Sequence, residues 1–132
     1  MTVPEQAGRA LQRRSVRLPD DVSAPRVARD ALAEWLCGTD PELRRDALSV
    51  VSELVTHAVR QGIPPIEVSL EQRRGWARVE VADAGVVAGR QALEQWARRI
   101  VERLAPRWGA HDDAHVWFEL PVRASAADDG LA

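Results

Sequence analysis

At 132 residues the chain fits one ordinary domain and leaves too little for a second hydrophobic core. Apolar residues at 45% and charged residues at 29% exclude a disordered or membrane-spanning class, and a formal charge of −2 excludes a global basic field for nucleic acid or an anionic membrane. Every basic side chain is Arg, and Lys, Asn and Tyr are absent. Cys37 is alone, so the chain can form no intramolecular disulfide and no zinc site built on thiolates. Met1 to Arg14 lacks the apolar core of a signal peptide, and no apolar run approaches the ~18 residues of a membrane span. A cytoplasmic location is expected.

Residues 1–13 are polar and without a sustained period, and residues 123–132 are short, small and polar, so both ends are expected to be flexible flanks of a folded unit over 14–122. Ser15-Val16-Arg17-Leu18 alternates polar and apolar before Pro19 and predicts a short first strand. Ser23 is placed to cap a helix with Pro25 in its first turn. Val27, Ala28, Ala31, Leu32, Trp35 and Leu36 then recur at helical spacing until Gly38. Asp40-Pro41 starts a longer helix whose stripe is Leu43, Ala47, Val50, Val51, Leu54, Ala58 and Val59, ended by Gly62, Pro64 and Pro65.

Residues 66–70 and 77–81 alternate with period two around Arg73-Arg74-Gly75, the pattern of a β-hairpin with one buried face on each strand. From Gly89 the helical period returns, with Ala92, Leu93, Trp96, Ala97, Ile100, Val101 and Leu104 on one side, until Pro106. Trp108 opens a short strand, Asp112-Asp113 supplies a turn, and Val116 to Pro121 is the last strand. The order β α α β β α β β predicts an α/β two-layer sandwich, with helices on one face of a mixed, mostly antiparallel sheet.

Two segments exceed generic patterning: residues 49–60, Ser-Val-Val-Ser-Glu-Leu-Val-Thr-His-Ala-Val-Arg, and residues 79–85, Val-Glu-Val-Ala-Asp-Ala-Gly. They resemble the N box and first glycine box of GHKL (Bergerat-fold) ATPases, particularly the short actinobacterial relatives of anti-sigma-factor serine kinases. Arg107-Trp108-Gly109 and residues 116–121 are similar to the final strands of that family, so the resemblance spans nearly the whole folded unit.

The resemblance implies a site. Glu53 takes the N-box carboxylate position, where it would orient or deprotonate an attacking hydroxyl. His57, one turn later, stands where the family has an Asn that ligates Mg²⁺, and an imidazole nitrogen is a poor substitute for an oxygen on that hard cation. Asp83 matches the acceptor of the adenine amino group, and Gly85 the glycine that lets backbone approach the base. Val87 replaces the second glycine of that box. Gly89 and Arg90, at a helix start that would hold phosphate, follow a much shortened lid.

The cofactor implied is ATP or ADP with Mg²⁺, yet the substituted positions fall on the metal and phosphate end, so efficient turnover is not expected. A divergent anti-sigma-factor-like regulator, docking a sigma factor or a STAS-domain antagonist, fits this pattern. The alternative is an ATP-dependent serine/threonine kinase that phosphorylates such an antagonist. The resemblance also implies a homodimer. No nucleic-acid or membrane partner is expected.

Other polar residues have plainer readings. His57, His111 and His115 with Asp112 and Asp113 read as one helix residue and a polar turn. Arg98, Arg99, Arg103 and Arg107 could form a patch for nucleic acid or an acidic partner, but such a stripe is more often the solvated face of an amphipathic helix. Trp35, Trp96 and Trp117 fall at core-facing positions of their periods, whereas Trp76, at the hairpin turn, is a candidate contact residue.

Overall fold

The computed structural model describes residues 12–61, 63–84, 95–112 and 115–122. Its elements run in the expected order: β1 (Gln12–Leu18), α1 (Ala24–Trp35), α2 (Pro41–Gln61), β2 (Ile66–Arg73), β3 (Trp76–Ala82), α3 (Gln95–Leu104), β4 (Arg107–Asp112) and β5 (His115–Pro121). The five strands lie in the order β1-β2-β3-β5-β4, and all four pairings are antiparallel. The terminal flanks 1–11 and 123–132 lie outside the described residues, as do Gly62 and the expected beginning of the third helix at Gly89.

Local chemistry explains most boundaries. The β2–β3 hairpin turns through Arg74 and Gly75, and Gly75 takes φ +83°, a region that L side chains rarely enter. β1 begins at Gln12, opposite Gln72, three residues before the apolar alternation starts. Backbone pairing with β2 carries Gln12, Arg13 and Arg14 onto the edge of the sheet, and Arg13 lies 3.9 Å from Glu71 across that pairing, so no apolar alternation is needed to extend the strand.

Ser23 stands at the N-cap of α1, but its side chain makes no bond to the helix. It donates through both backbone N–H (2.8 Å) and hydroxyl to Asp21 Oδ1, and those two bonds hold the Asp21 carboxyl below its ordinary pKa. At α2, Asp40 Oδ1 accepts the Glu42 N–H at 3.2 Å.

The three helices cover one face of the sheet. Val68, Leu70, Ala77, Val79, Val81, Phe118 and Leu120 point toward them, with Leu70 opposite Val79 and Val79 opposite Phe118. α2 packs between α1 and α3 and buries a wider arc than an outer helix would, adding Val55 and His57 to the expected stripe. Val50, Val51, Leu54, Val55 and Phe118 are among the fully buried side chains at the centre.

The opposite sheet face carries paired charge. Glu119 Oε2 accepts from Arg78 at 2.8 Å, and Arg107 Nε lies 3.3 Å from Glu119 Oε1. Trp117 belongs to this face, contrary to the core position expected for it. In β5 it alternates with buried Phe118 and Leu120, and the period of two turns it outward. Its indole lies over Gly109, with the Arg78 guanidinium 4.2 Å from the ring centroid. Trp35 is half-buried and packs against the core as expected, Trp96 is half-buried, and Trp76 is 37% exposed.

Candidate functional site

Helix α2 sets the site. Arg29 Nη1 on α1 donates to Ser52 Oγ at 2.7 Å, which fixes the rotation of α2 against its neighbour. Glu53 is the next residue, and it turns away from α1 toward α3. There it lines a cleft of about 370 Å³ together with Trp96, Arg99, Ile100 and Arg103. Those four α3 residues follow the spacing i, i+3, i+4 and i+7, so they share one helix face. Among the described residues the cleft therefore presents an aromatic and aliphatic wall, two guanidiniums and one carboxylate.

Among the described residues, no ion pair engages Arg99 or Arg103, although Arg98 on the same helix lies 3.2 Å from Glu102. A second hollow, of about 550 Å³, borders Arg99 from the other side, with Gln95, Arg98 and Glu102. Arg99 thus stands between two open surfaces. Arg99 and Arg103 were expected first as a solvated stripe, with an acidic-partner patch as the rarer reading. The signal that places them in the cleft is the spacing that puts Arg99 and Arg103 on the same face as Trp96 and Ile100.

His57 and Asp83 lie deeper. His57 is only 6% exposed in α2, and Asp83, directly after β3, is 8% exposed. The Ala84 N–H donates to the Ile63 carbonyl at 2.7 Å, which ties the end of β3 to the chain just past α2. The predicted base end and the C-terminal turns of the N-box helix are thereby held side by side. Both His57 and Asp83 already engage other groups of the protein. The β-register also sets His115 opposite Ala82, one residue before Asp83.

Gly85, Gly89 and Arg90, together with Val87, lie outside the described residues, so the expectations for the phosphate-binding end rest on the sequence. At the implied ligand position, His57 offers Mg²⁺ an imidazole nitrogen in place of an oxygen. The side chain at the ligand position is a buried imidazole already in use, and no cluster of three or more His, Cys, Asp or Glu among the described residues can hold a metal. No described helix is long and apolar enough to cross a membrane.

No protein-family model matches the chain, and no curated protein matches it. Among solved structures it is similar to the crystal structure of the RsbU and RsbW domains of Rv1364c from Mycobacterium tuberculosis. The TM-score is 0.69 and the identity 24%, over 86% of this chain. The chain spans 33% of the length of that solved chain. At this identity the likeness shows the fold alone, a two-layer, Bergerat-like α/β sandwich.

Proposed function

We propose that the chain is a divergent anti-sigma-factor-like regulatory domain that acts by docking a protein partner, such as a sigma factor or a STAS-domain antagonist, with weak or no ATP turnover. The observation that carries this reading is His57. A buried imidazole occupies the position where the resemblance implies a metal-binding Asn oxygen, in a chain whose fold is similar to the solved structure over 86% of its length. Similarity to a structure containing an RsbW domain supports the regulatory class over an unrelated use of the fold.

Without the metal, the negative charge of a transferring phosphoryl group loses its main source of stabilisation, and Glu53 alone does not replace it. The scaffold keeps its surfaces, and surfaces suffice for a regulator that works by sequestration. Calorimetric titration with Mg-ATP and with Mg-ADP tests the assignment. The expected outcome is no phosphate transfer to a co-purified partner and no saturable heat at millimolar nucleotide. Saturable binding that Asp83→Ala abolishes would instead favour the serine/threonine kinase.

A further inference from the structure

Several arginines of this protein are paired with carboxylates. Arg13, Arg73, Arg78, Arg98 and Arg107 each lie within 4.0 Å of a carboxylate, from Glu71, Glu102 or Glu119. Arg99 and Arg103 have no such partner among the described residues, although both are exposed and stand one turn apart on α3. Like charges at that spacing oppose helix formation by about 0.2–0.5 kcal/mol. They face the same cleft as the half-buried Trp96 and Ile100. Arg99 and Arg103 thus set two positive charges, with no carboxylate partner among the described residues, beside an apolar wall.

We propose that this α2–α3 cleft is the docking surface for an acidic helix of the protein partner. Two carboxylates one helical turn apart on the partner meet Arg99 and Arg103, an apolar side chain between them lies against Trp96 and Ile100, and a hydroxyl or cationic side chain meets Glu53. The proposal rests on the regulatory reading above and names the chemistry of its partner.

Three observations point to this occupant. The repeat of an α-helix is about 5.4 Å per turn, so carboxylates four residues apart on a partner helix match guanidiniums four residues apart on α3. Arg forms forked, charge-assisted bonds with carboxylates. The volume of about 370 Å³ accommodates a few side chains of one segment, and the apolar wall of Trp96 and Ile100 gives an aliphatic side chain between the carboxylates a surface that a free phosphate would leave uncovered.

The test uses the full chain and a fluorescein-labelled, Ala-based helical peptide of about 18 residues, long enough to be helical alone. It carries two Glu four residues apart, a Leu on the same face and a Ser one turn away. Fluorescence anisotropy is expected to show saturable binding of this peptide, and binding at least about tenfold weaker for the version with both Glu changed to Gln. The double variant Arg99→Ala with Arg103→Ala, checked for folding by circular dichroism, should weaken the Glu peptide by about tenfold as well. Arg99→Glu with Arg103→Glu should reverse the preference, taking a Lys version of the peptide over the Glu version.

Equal binding of the Glu and Gln peptides, no effect of the double Ala variant, or no binding at millimolar peptide overturns the proposal. So does a result in which inorganic phosphate or phosphatidylserine vesicles bind through these arginines and the Glu peptide does not. Affinity capture from the host separates this from the parent reading. Recovery of a sigma factor or STAS-domain protein equally by wild type and by the double Ala variant overturns the docking surface and leaves the regulatory role standing. Recovery of neither class, with the peptide bound as expected, overturns the regulatory role and keeps the acidic-helix surface.

Discussion

Replacing Gly109 by Ala should destabilise the protein, and the same change should stabilise it once Trp117 is gone. A Cβ built on Gly109 would lie 2.8 Å from Trp117 Cζ2, 3.1 Å from Cε2 and 3.2 Å from Nε1. Ordinary contact begins near 3.4 Å, so the indole must withdraw by about 3.4 − 2.8 = 0.6 Å. It is not free to do so, because Arg78 stacks on its ring at 4.2 Å and is itself held by Glu119 at 2.8 Å. Overpacking of this kind costs about 1–3 kcal/mol, whereas relieving a strand of Gly returns about 0.5–1 kcal/mol. The net expectation is a loss of about 0.5–2 kcal/mol. In a Trp117→Val background the clash disappears and only the backbone gain remains, so Gly109→Ala should then raise stability. Urea denaturation of the four proteins of this cycle measures the coupling, expected at about 1–3 kcal/mol between residues in contact. A Gly109→Ala variant as stable as wild type, or a cycle with no coupling, would refute the packing described here.

Phe118→Ala, at a fully buried position on the helical face of the sheet, should cost about 3–5 kcal/mol and lower the urea midpoint with an unchanged slope. Glu119→Gln should cost about 1–2 kcal/mol, because it weakens the bonds to both Arg78 and Arg107, whereas Arg107→Ala, at a largely exposed side chain, should cost less than about 0.5 kcal/mol; thermal unfolding of both variants checks the order. Ser23→Ala should raise the Asp21 pKa toward its ordinary value, read by NMR titration of the carboxyl carbon. Because the folded-state pKa is lowered, the stability difference between wild type and Ser23→Ala should be full above about pH 4 and vanish as pH falls through the Asp21 titration in the folded protein.

The periods of the sequence determined much of this protein. The stripes of α1 and α2, the alternation in β2 and β3 and the Gly75 turn each encode a local preference, and local preferences are visible one segment at a time. Glu53, His57 and Asp83 were legible because a resemblance attached roles to their positions. Three features were decided only by tertiary structure. Trp117 looked like core because it is apolar, but the register that places Phe118 opposite Val79 turns it to the other face, over a glycine from a neighbouring strand. His57 became buried because α2 has helices on both sides, a fact no single helix period contains. Arg99 and Arg103 read as a solvated stripe on α3, since a helix period shows which residues share a face but not what stands across from it; the packing of α3 beside α2 set them opposite Glu53 and made that stripe one wall of a cleft.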